Sequence, residues 1–79
     1  MNEPKQVWEY TEMGVVFPVV IEKEWTSGVD VNFLLRALSG KLIGRTFEVA
    51  VNAKYMTRRD NYISAMYCWE MRRMEEWTE

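Results

Sequence analysis

An α+β fold is what the sequence predicts: a small antiparallel sheet of about three strands with two helices packed on one face, in the order β-β-α-β-α. Three stretches predict it. Val15–Ile21 is continuously apolar except for Pro18. Phe47, Val49 and Val51 alternate with Glu48, Ala50 and Asn52. Ile63, Met66, Tyr67, Met71, Met74 and Trp77 recur at the spacing of one broad helix face.

The elements follow in order. Residues 1–6 are expected to be loose, before the β-prone run Val7–Tyr10. Thr11–Gly14 reads as a turn, with Gly14 free to take positive φ. Val15–Ile21 then pairs back as a hairpin. Pro18 donates no backbone hydrogen bond, which places this strand at a sheet edge or on a bulge. Glu22–Gly28 is a polar connection carrying Trp25. Val31–Leu38 reads as a short helix capped by Asp30 or Ser27, with Phe33, Leu34, Ala37 and Leu38 on one side and Gly40 at its end. Lys41–Asn52 is the next strand, with Gly44 at a bulge or bend. A loop over Asn52–Arg59 leads to the last helix, Asn61–Trp77, capped by Asp60 or Thr57. On that helix Trp69 and Trp77 point about 80° apart, so one of them is expected to be exposed.

Composition narrows the functional classes. The chain of 79 residues fits one domain, 1–79, and a core of that size is marginal without a staple. One cysteine, Cys68, excludes an intrachain disulfide, and the absence of histidine removes the mixed Cys/His zinc sets. No cofactor and no metal site are expected. Four Trp, four Tyr and three Phe supply both core mass and partner anchors. Twelve acids against ten bases give a net charge of −2, with no bias toward nucleic acid or anionic membrane. The opening residues are polar and no apolar run approaches the roughly 20 residues of a membrane span, so a soluble cytoplasmic protein is expected.

Catalysis has little to work with. A Ser or Cys nucleophile lacks an imidazole base, and Cys68 reads as a small semi-buried hydrophobe. Glu22 with Glu24, and Glu75 with Glu76, lie in polar segments and read as solvated faces. Gly40 and Gly44 lack the lysine-serine ending of a phosphate loop. No enzyme is expected.

Two constellations point to binding instead. The last helix exposes more apolar circumference than a small two-layer domain needs, so Trp69, Arg73 and Trp77, with Met66, Glu70 and Trp25, are the expected partner contacts. Glu70 sits within the apolar arc, as an ion-pair partner of Arg73 or Arg45 or as a polar anchor in an interface. The segment holding Lys54, Tyr55, Arg58, Arg59 and Tyr62 mixes cations with tyrosines and offers a phosphate or nucleic-acid contact. The near-neutral charge makes this second to a protein partner. Self-association into a homodimer through the Pro18 strand or the last helix is the other alternative. In size and composition the chain is similar to the compact, Trp-rich proteins with which bacteriophages inhibit host machinery, anti-CRISPR proteins among them. That resemblance implies an inhibitor docking on a larger protein or complex and assigns no residue a role.

Overall fold

The computed structural model describes residues 5–57 and 61–78. Asp30–Ala37 shows how the chain folds locally. Val31, Phe33, Leu35 and Ala37 are buried in strict alternation with half-buried Asn32, Leu34 and Arg36. A period of two is a strand period. The expected helix would have buried Leu34 and Leu38, and eight residues are too few to hold a helix alone. Strand pairing on both sides satisfies the backbone instead.

The same correction applies to the expected last helix. Tyr62 and Ser64, then Trp69 and Met71, are buried on either side of a reversal at Ala65–Cys68. Met, Glu and Arg favour helix locally. Burial of alternate side chains across a paired strand outweighs that preference. The α+β expectation with two packed helices is therefore replaced by an almost entirely β architecture. The strands are β1 (Gln6–Glu12), β2 (Val15–Ser27), β3 (Asp30–Ala37), β4 (Thr46–Asn52), β5 (Met56–Thr57), β6 (Asn61–Ser64) and β7 (Trp69–Thr78), with a 3-10 turn at Ala53–Tyr55.

All strand pairs are antiparallel, in the order β4-β3-β2-β1-β7-β6-β5. β4 runs through the 3-10 turn directly into β5, so the two ends of this order are halves of one bent strand. The meander thus curls into a small barrel that is open along one seam, with β7 laid against β1 and no strand pairing between β4 and β5 or β6 among the described residues. Its interior is a chain of rings. Tyr10 lies 5.2 Å from both Phe17 and Phe47 and 5.7 Å from Trp69. Tyr62 lies 5.1 Å from Trp8 and 4.8 Å from Phe33. Val19, Val31, Leu35, Val51 and Met71 fill the remainder.

Several boundaries move. The polar segment expected as a connection after Ile21 is the second half of β2, which runs on to Ser27 across an irregularity at Glu22. The strand expected from Lys41 begins at Thr46, and Gly44, at φ 78°, belongs to the preceding turn and not to a bulge. Asp30 caps no helix, because it pairs with Ser27 and Asn52 in the sheet. Pro18 lies in an interior strand, between β1 and β3. Its carbonyl accepts from the Leu38 amide, so its nitrogen faces the side where β3 has already ended at Ala37. The missing N–H therefore faces Leu38 and ends the β2–β3 ladder there, without breaking a bond inside β3. Of the opening residues expected to be loose, 1–4 lie outside the described residues, and Gln6 begins β1, its amide donating to the Met74 carbonyl.

One ionic group braces the outside of the barrel. Glu22 accepts from Lys5 and, at 2.6 Å, from Arg36 Nε. These bonds, from Lys5 first and then Arg36, hold its carboxyl below the ordinary value of 4.5. A lowered folded-state pKa contributes stability above 4.5 that is lost as pH falls through the folded value. Acid titration of urea stability is expected to decline below pH 4.5, and Glu22→Gln to flatten that decline. Leu35→Ala is expected to cost about 2–5 kcal/mol in urea unfolding, and Leu34→Ala markedly less. The reverse ranking would restore the helical reading.

Candidate functional site

The reversal at Ala65–Cys68 contains no Gly, Pro, Asn or Asp, the residues that make turns inexpensive. Cys68 takes φ 58°, a left-handed conformation that costs an L-residue roughly 1–2 kcal/mol. Across the top of the barrel, the β1–β2 hairpin turns on Met13 and Gly14, at φ 49° and 83°. Two central residues of positive φ make a type I′ turn, which Asn-Gly would close at lower energy. Met13 is 84% exposed, so no packing offsets its strain. Both left-handed non-glycine residues line one small cleft, together with Ile63.

Around the same turn the barrel leaves large apolar side chains in water. Met66 is 81% exposed, and Tyr67, Tyr55, Val29 and Ile63 are exposed as well. Val29, Tyr55, Met66 and Tyr67 border a cleft of about 440 Å³ between the 3-10 turn and the reversal. Tyr67 also borders a second cleft, of about 310 Å³, along β4. The reversal is thus the hub of a strained, apolar rim.

The residues expected from the sequence to meet a partner are scattered. Trp69 is 4% exposed. Its ring stacks on Tyr10 and its indole N–H donates to the Ala50 carbonyl at 3.0 Å, so it fastens the barrel seam and shows only an edge at the clefts it borders. Arg73 and Trp77 lie farther along β7, where they line a shallow cleft of about 540 Å³ with Glu9, Arg72 and Glu75. Glu70 sits half-buried between Thr11 and Ile63 in neighbouring strands and forms no ion pair with Arg73 or Arg45 among the described residues. Trp25 is half-buried on the far side of β2, with the Lys23 ammonium 5.6 Å from its ring centroid. Of the expected set, Met66 is the exposed rim residue, while Glu70 and Trp69 line the small cleft beside Met13 and Cys68.

The basic-aromatic cluster is also divided. Tyr62 is a core ring against Trp8 and Phe33 and offers no face to a base. Lys54 is exposed, 5.1 Å from the Tyr55 ring centroid. Arg58 and Arg59 lie outside the described residues. Cys68, expected to be semi-buried, is exposed. Sequence reading missed Met13, Val29 and Tyr67 as surface residues. The signal available was a methionine before Gly14, in a place where hairpins favour Asn.

Titration adds one feature to the β4 side of the rim. Burial, then the hydrogen bond to Glu12, pushes the Tyr10 hydroxyl well above its ordinary value. Tyr10 therefore stays a neutral donor, and its hydroxyl donates a hydrogen bond to a Glu12 carboxylate oxygen at 2.5 Å. Among the described residues, no three Cys, Asp or Glu side chains gather as metal ligands. No helix among them is long and apolar enough to cross a membrane.

Fold and site together define a curled antiparallel meander with one open seam and a strained apolar rim. The chain matches no protein-family model, no curated protein and no solved structure. Trp69→Phe, which keeps one aromatic ring but removes the rest of the indole with its seam hydrogen bond, is expected to lower urea stability by more than about 2 kcal/mol. Trp77→Phe is expected to change it by less than about 0.5 kcal/mol.

Proposed function

We propose that the chain is a non-enzymatic protein-binding module, an inhibitor or adaptor that docks on a larger protein through the rim around Ala65–Cys68. The observation that carries this reading is the coincidence of exposed apolar side chains with backbone strain. Met13 and Cys68 occupy conformations that Gly or Asn would hold at lower energy. Beside them Met66, Tyr67, Tyr55, Val29 and Ile63 remain in water. Strained residues of this kind cluster at binding and switch sites. Methionine adapts to varied partner surfaces, and tyrosine is a frequent hot-spot residue. A partner offering an apolar groove would cover the rim, and occlusion of that groove is the inhibitory act available to so small a domain.

The nucleic-acid reading has less support, because Tyr62 is turned into the core. The reading centred on Trp77 keeps a specific observation, its 44% exposure, and supplies the internal control.

The test is capture from extract of the native host by the immobilised chain, with radical footprinting after the partner is added back. Met66→Glu is expected to abolish capture, and Met13→Asn to weaken it while raising the unfolding free energy by about 0.5–1 kcal/mol. Oxidation of Met13 and Met66 is expected to fall in the complex. Undiminished capture by both folded variants, or loss of capture with Trp77→Ser instead, removes the rim assignment.

A further inference from the structure

Backbone direction in β4 reveals a strand edge without a partner. The Ala37 amide donates to the Arg45 carbonyl, and the Ala53 amide to the Val29 carbonyl. With the β3–β4 register, this alternation turns the peptide groups of Phe47, Val49 and Val51 toward β3. Those of Thr46, Glu48 and Ala50 turn the other way. The Trp69 indole on the Ala50 carbonyl sits on that outer side. Among the described residues no strand pairs with Thr46 or Glu48 along this edge.

The cleft of about 310 Å³ follows the edge and is walled by Glu12, Glu48 and Trp69. Two further features there call for a ligand. Asn32 lines the cleft, and its side-chain nitrogen is buried without a hydrogen-bond acceptor among the described residues. A donor so placed loses solvation without return. Glu12 and Glu48 bring two carboxylates to the cleft, and neither forms an ion pair among the described residues.

We infer that this edge takes an extended segment of the protein partner as an added strand, with a Lys or Arg side chain held between Glu12 and Glu48. The inference rests on the protein-binding reading above and names its chemistry. Main-chain bonds to Thr46, Glu48 and the Ala50 amide give the segment its register, and Trp69 marks where the available edge stops. A second copy of the chain fits less well, because it would bring further Glu12 and Glu48 carboxylates to the same place.

The test uses blocked heptapeptides of alternating Val and Lys, or alternating Val and Glu, titrated into the full chain with amide exchange as the readout. The lysine peptide is expected to bind at least about tenfold more tightly and to slow exchange at Thr46, Glu48 and Ala50. Glu48→Gln is expected to weaken it severalfold. Glu48→Pro is expected to abolish it with circular dichroism unchanged, since that N–H serves no ladder bond. Equal affinity for the two peptides overturns the inference. So does protection confined to the rim, in which case protein binding stands and strand addition falls. Concentration-dependent protection of these amides without peptide assigns the edge to a second copy and also overturns it. Capture by the Met66→Glu variant reports on the protein-binding reading independently.

Discussion

Pairing of β7 with β1 is the contact on which everything else rests. No helix is present among the described residues to cover the apolar face of the sheet, so the sheet must cover itself. A meander of β1 to β4 alone would leave Tyr10, Phe33 and Leu35 facing water. Laying β7 on β1 brings Tyr62 against Trp8 and Phe33, and Trp69 against Tyr10. Trp69 then completes the ring by donating to β4. One indole packs the interior and satisfies an edge carbonyl, a double use that suits a core too small for specialised residues.

The β1–β2 hairpin and β4, with its alternating Phe47, Val49 and Val51, are legible in the sequence, and the rest is not, for a physical reason. The β1–β2 hairpin announces itself through Gly14 and the apolar run after it. Asp30–Ala37 does not, because a stretch such as Val31-Asn32-Phe33-Leu34-Leu35 satisfies either period over so few residues. Trp69–Thr78 misleads outright. Its Met, Glu and Arg residues favour helix, while its strand state is set by β1, far away in the chain. The reversal at Ala65–Cys68 carries no turn residue, so nothing local separates β6 from β7. The candidate site is legible in part: the sequence points to Met66, whereas a helical spacing that the chain does not adopt places Trp69 on the surface. An exposed rim built from tertiary closure leaves no local pattern to read.

The rim and the open β4 edge are two sides of one seam. A bent strand shared between β4 and β5 leaves a gap where neither half is fully paired. Trp69 blunts part of that edge, as exposed strands generally require. What remains unpaired lies next to the most apolar part of the surface. Tyr67 borders both clefts, so an occupant of one would touch the side chain that shapes the other.

The long reach from β1 to β7 also governs the order of assembly. Hairpins form quickly because their ends are near in the chain, whereas a contact between opposite ends waits on a large loop closure. During synthesis the first four strands emerge with their aromatic face uncovered, and the ring cannot shut before β7 has left the ribosome. Until β7 reaches β1 the chain is an open sheet with an uncovered aromatic face, and chaperone protection is most useful up to that closure.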